Sequence, residues 1–129
     1  MKQECKIEKF EDLIAWQIAK DITNYIYDLT KKPPVSNDYG FVDQIRRSAV
    51  SIMNNIAEGY ERGSNKDFAK FLFISRGSAG EVRSMLYVAL DQKYIDQKAF
   101  KEILQLCEKC SRAIWGLIKS IKAKPDWIE

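Results

Sequence analysis

One spacing recurs along most of this chain: apolar residues separated alternately by three and four positions. It is clearest in Val42, Ile45, Ala49, Ile52 and Ile56. At 3.6 residues per turn, that alternation draws an apolar seam down one side of a helix. It does not fit a strand, whose side chains change face at every residue. Three more segments carry it. Ala15, Ile18, Ile22, Tyr25 and Leu29 form one stripe, with Trp16, Ala19, Thr23 and Ile26 as its neighbour. Phe68, Leu72, Ser75, Ala79, Val82, Leu86 and Ala89 form the next. Phe100, Ile103, Cys107, Cys110, Ile114, Leu117 and Ile121 form the last.

Punctuation residues bound these segments. Pro33-Pro34 stop the first helix, and Lys31-Lys32 complement the negative end of its dipole. Ser36-Asn37-Asp38-Tyr39-Gly40 reads as the longest loop. Gly63 ends the second helix, and Ser64-Asn65-Lys66-Asp67 resembles a capping box for the third. Asp96 is a good N-cap for the fourth, which Pro125 closes. The predicted helices span residues 10–30, 41–62, 65–92 and 97–122, each roughly 30 Å long at 1.5 Å per residue. Short connections between long helices make antiparallel neighbours. The expected fold is all-α, an antiparallel up-down four-helix bundle, with 129 residues forming one domain around one core.

The same residues narrow the chemistry. The chain has no histidine, so Ser-His and Cys-His nucleophile arrangements are excluded. The Glu-x-x-His pairs of a di-iron bundle are likewise absent, and no glycine-rich phosphate loop occurs. Cys107 and Cys110 sit inside the fourth seam. Without a second cysteine pair or a histidine they read as core residues and not as a zinc site. Glu58, Glu81 and Asp91 are oxygen ligands that no spacing binds together. The expectation is a non-enzyme with no catalytic residue, metal or cofactor. No apolar run approaches the roughly 20 residues of a membrane span. The N-terminus leads into charged sequence, and three cysteines, with Cys5 near that terminus, do not make a disulfide framework. The expected location is the cytoplasm. A net charge of +3 permits contact with nucleic acid without arguing for it.

Three surfaces stand out. On the second helix, the flank beside the seam carries Gln44, Ser48, Ser51, Asn54 and Asn55. Ser and Asn are poor helix formers, so such a face implies a close neighbour. The favoured reading is a structural polar network of Gln44, Arg46, Ser51, Asn55, Glu58 and Arg76, with Glu58 paired to Arg62 or Arg76. The alternative is a ligand or phosphate site involving Arg46, Arg47, Asn54, Asn55 and Glu58. Arg46 and Arg47 lie on different sides of the helix, too far round to share one small pocket.

The third helix carries a second stripe opposite its seam: Phe73, Gly77, Gly80, Ser84 and Tyr87. Each helical glycine costs about 0.8–1.0 kcal/mol relative to Ala. Glycine lets another backbone approach, so the stripe is expected to be an oligomer interface. The plainer alternative is that a glycine relieves crowding within the chain. On the fourth helix Lys109, Arg112, Lys119, Lys122 and Lys124 follow one another with no acid between them. They are the candidate nucleic-acid contact, to be weighed against an ordinary solvated helix end. Trp127, beyond Pro125, can stack on a base or dock on the bundle.

Two motifs carry a family resemblance. Gln44-Ile45-Arg46-Arg47-Ser48-Ala49-Val50-Ser51-Ile52 with Asn55-Ile56-Ala57-Glu58-Gly59-Tyr60 resembles the signature of the four-helix-bundle proteins encoded in intervening sequences of bacterial 23S rRNA genes. Phe71-Leu72, Ile74, Arg76-Gly77-Ser78 and Glu81 are similar to its second motif. The resemblance runs from about Phe10 to about Ile95. Met53 stands where the family often has proline, so no kink is expected in the second helix. The resemblance implies ring-like homo-oligomers, typically pentamers. It also points to a related branch, the accessory proteins of diversity-generating retroelements, which bind nucleic acid and a reverse transcriptase. The resulting expectation is a homo-oligomeric scaffold or accessory protein that binds RNA or DNA through basic helix surfaces. The alternative is a protein-interaction module with no nucleic-acid role.

Overall fold

The computed structural model describes residues 6–124. A short 3-10 turn, Phe10–Asp12, leads into α1 (Ile14–Leu29). A second such turn, Val35–Asn37, leads into α2 (Tyr39–Glu61), followed by α3 (Asn65–Asp91) and α4 (Gln97–Lys122). No strand occurs among the described residues. The fold is all-α with four helices.

Side-chain caps set the boundaries. Ser64 Oγ accepts the Asp67 N–H at 3.1 Å, and Asp96 Oδ1 accepts the Ala99 N–H at 2.8 Å. Gly63 ends α2 with φ of +82°, a left-handed conformation that L side chains avoid. Helix α2 begins two residues earlier than the sequence expectation because Asp38 is its N-cap, accepting from Phe41 N–H at 3.2 Å. The other Asp38 oxygen accepts the Tyr94 hydroxyl at 2.7 Å, and the Tyr94 ring meets Phe41 edge-on. This ties the α3–α4 connection to the start of α2. The helix continues without interruption through Met53.

The helices pack in a cycle, α1 on α2, α2 on α3, α3 on α4 and α4 on α1. Ile22, Ile26, Ile45, Ile52, Ile56, Leu72, Leu86, Ile103, Ile114 and Ile118 fill the interior and are fully buried. Each such side chain contributes roughly 1.5–3 kcal/mol relative to exposure. One seam position needs correcting: Ile118 is buried, whereas Leu117 is only partly so. Over a helix as long as α4 the 3.6-residue turn drifts from a 3.5-residue repeat and carries the seam to the next residue. At Gly59 the backbones of α2 and α3 come close. A Cβ there would lie 2.7 Å from Cβ of Phe71.

Candidate interaction surfaces

The uncharged face of α2 is directed at α3. Ser75 donates to the Ile52 carbonyl at 2.6 Å, and the hydroxyls of Ser51 and Ser78 lie 2.8 Å apart. Asn55 Nδ2 donates to the Ser51 carbonyl and hydroxyl at 2.8 and 2.9 Å. Gln44 Nε2 donates to Ser48 at 3.4 Å and to the Glu81 carboxylate. The close neighbour implied by the serines is therefore this chain's own α3. Two further network members are Ser75, which the sequence placed in the inner seam of α3 without a polar role, and Ser78, which it named only within the second motif. Their signal was present as two serines three residues apart on α3.

Other anticipated members lie elsewhere. Glu58 pairs with Arg62 Nη2 at 2.9 Å, one turn along α2. Arg76 stands apart from this network, with its guanidinium 4.7 Å from the Trp115 ring on α4. The rotation of α3 aims Arg76 away from α2. Arg46 faces α1: Nε donates to Thr30 Oγ1 at 2.9 Å, and the guanidinium lies 4.4 Å from the Tyr27 ring. Arg47 pairs with Asp43 at 3.0 Å. Arg46 and Arg47, not expected to share a small pocket, line the same wide cleft, together with Tyr39, Asn54, Asn55 and Glu58. It is open and about 680 Å³ in volume, wide enough for side chains from both sides of the helix to reach it.

The outer surface of α3 is different. Beyond the backbone of their own helix and their chain neighbours, Gly77 and Gly80 have no atom of the described residues within 4 Å of where a Cβ would be. They line a shallow cleft with Phe73, Arg76, Arg83 and Ser111. Phe73 is 42% exposed and Tyr87 52%, and Ser84 is exposed. The rings are partnered by α4. Phe73 meets Trp115 with centroids 6.2 Å apart, and Tyr87 meets Phe100 at 5.1 Å. Lys122 Nζ lies 5.2 Å from the Phe73 ring. Arg83 Nη2 is 3.8 Å from Glu108, while its buried Nε has no hydrogen-bond partner. The stripe is thus a glycine floor rimmed by aromatic rings and arginines.

The cations of α4 do not form a single stripe. Lys109, Arg112, Lys119, Lys122 and Lys124 are all exposed. At about 100° per residue, Lys109 and Lys122 point roughly 220° round from each other, whereas Arg112 and Lys119 share a direction. Lys122 leans toward α3. Lys124 lies beyond the helix and borders a cleft with Tyr60, Ser64 and Phe68.

Cys107 and Cys110 are fully buried. Burial pushes both thiols up to about 12, and the Cys110 thiol donates to the Ala15 carbonyl at 3.7 Å. Among the described residues no group of three or more His, Cys, Asp or Glu is placed to hold a metal. No helix among them is long and apolar enough to cross a membrane. Cys5, Pro125 and Trp127 lie outside the described residues.

A protein of unknown function from the S23 ribosomal protein family of Bacteroides thetaiotaomicron has the same fold. Its crystal structure gives a TM-score of 0.76, covering 82% of this chain and 96% of that one at 21% identity. No curated protein matches the chain. The match to 23S rRNA-intervening sequence proteins extends over residues 11–116, taking in both sequence motifs and all but the end of α4. By that match, the chain belongs to the 23S rRNA-intervening sequence protein family.

Proposed function

We propose that this chain is a non-enzymatic scaffold: an antiparallel up-down four-helix bundle that assembles with copies of itself into a ring in the cytoplasm. The observation that carries this reading is the pair Gly77 and Gly80. Nothing among the described residues needs the space they leave, yet each costs helix stability relative to Ala. The rings beside them, Phe73 and Tyr87, remain about half exposed. An approaching backbone accounts for both features. The up-down course is supported by the ring pairs, since Phe73 meets Trp115 while Tyr87 meets Phe100. Family resemblance favours five subunits.

The ring's cargo on this reading is RNA or DNA, or a reverse transcriptase where the gene accompanies a retroelement. Each subunit brings Arg112, Lys119 and their neighbours, so a ring multiplies weak phosphate contacts through avidity. Light scattering should give a mass several times 15.0 kDa. A monomer at micromolar concentration overturns the scaffold. Oligonucleotide binding across a salt series tests the cargo. Changing Lys119, Lys122 and Lys124 together to Gln should weaken binding and flatten its salt dependence with the oligomer intact.

A second reading, a protein-interaction module without nucleic acid, is favoured by the scatter of the α4 cations around the helix. An absence of oligonucleotide binding by the wild-type protein at low salt would select it.

A further inference from the structure

We infer that the face seated on the α3 glycine cleft is the outer face of α1 from a second copy, held by Asp21 and Asp28 against Arg76 and Arg83. This rests on the self-association proposed above and names the other half of its interface.

The cleft is cationic. Arg76 has no carboxylate partner among the described residues, and Arg83 reaches Glu108 only at 3.8 Å. Two copies meeting through this same face would bring arginine against arginine, and like charges repel. The contact is therefore heterologous, the kind that closes rings, and the opposing face must be acidic. Helix α1 supplies one. Its only acids are Asp21 and Asp28, both exposed, and its only cation is Lys20, drawn 5.9 Å from the Trp16 ring. Asp28 also pairs with Lys31, but both side chains are more than half exposed, and such pairs contribute little and exchange readily. The acids of α2, Asp43, Glu58 and Glu61, include no two that are seven residues apart.

Spacing agrees as well as sign. Asp21 and Asp28 are seven residues apart, and so are Arg76 and Arg83, giving each pair a separation of about 10.5 Å along its helix. The same line on α1 begins at Ile14, seven residues before Asp21 and 66% exposed. With Asp28 opposite Arg76 and Asp21 opposite Arg83, Ile14 falls within about one turn of Tyr87. Both exposed apolar side chains are then covered.

Charge reversal tests the pairing. The variants R76E/R83E and D21R/D28R should each drop to the 15.0 kDa monomer in analytical ultracentrifugation. Each should keep wild-type helicity by circular dichroism. The quadruple variant, carrying all of these changes, should recover the wild-type mass. D21R/D28R alters only exposed side chains and guards against the chance that R83E disturbs the fold beside Glu108. Doubles that assemble like wild type, or a helical quadruple that stays monomeric, overturn the pairing while leaving self-association standing. A wild-type protein that is itself monomeric removes the assembly and the pairing together.

Discussion

Glycine sits in the helices of this protein in two opposite situations. At Gly59 the missing side chain is required within the chain, because Phe71 occupies the space a Cβ would need. At Gly77 and Gly80 the space is open. A helical glycine therefore does not mark an interface by itself. What distinguishes the two is whether the chain's own packing already fills the gap. The same contrast runs through the polar residues. Ser51, Ser75, Ser78 and Asn55 find their partners inside the chain, whereas Arg76 and Arg83 face outward with little carboxylate company.

The comparison can be broken most sharply at Gly59. Gly59→Ala should lower stability by about 1–3 kcal/mol through overpacking against Phe71, and Gly59→Leu by more. Chemical denaturation would measure both, and an unchanged midpoint would show that α2 and α3 can part freely. The dryness of the interior is tested next, through pH. The two buried thiols stand at about 12 against an ordinary 9.0. An unfolded chain loses their protons first, so the stability they confer is complete below pH 9 and declines as pH rises toward 12. The slope should be about 1.4 kcal/mol per pH unit for each thiol. The double variant C107A/C110A should flatten it in thermal melts across that range.

A smaller effect is expected at the inner polar seam. Ser75→Ala removes the bond to the Ile52 carbonyl and should cost about 0.5–1.5 kcal/mol, read from urea unfolding. The smallest lies on the outer face and has the opposite sign to Gly59. Gly77→Ala or Gly80→Ala should stabilise the dilute monomer by about 0.8–1.0 kcal/mol while weakening self-association. Melting and light scattering on the same samples would check this. Loss of stability in the monomer would mean that the space is not open.

The sequence disclosed most of the helical frame because its punctuation is local. Ser64, Asp96 and Gly63 act on residues within one turn, and the structure places helix ends within two residues of the expectation at α2 and α3. Asp38 was harder to single out, since Ser36, Asn37 and Asp38 are all cap formers, and only the distant Tyr94 hydroxyl distinguishes the third. Arg76 was misplaced for a related reason. It lies in the second motif, close in sequence to Ser75 and Ser78, but one residue is 100° of rotation, and that carries it from α2 to Trp115. Periodicity tells which residues face inward, not which neighbour an edge residue meets. The shared cleft of Arg46 and Arg47 was illegible for the same reason, because its width depends on how α1 and α2 lie against each other.

The serine seam between α2 and α3 has a consequence for alignment. Apolar seams repeat nearly every turn, so sliding one helix along the other by about 5.4 Å leaves much of the oily contact intact. The same slide would pull Ser75 away from the Ile52 carbonyl, part Ser51 from Ser78, and move Phe71 off Gly59. The polar contacts and the one notch act together as a vernier, selecting a single registry from several that greasy packing alone would leave nearly degenerate.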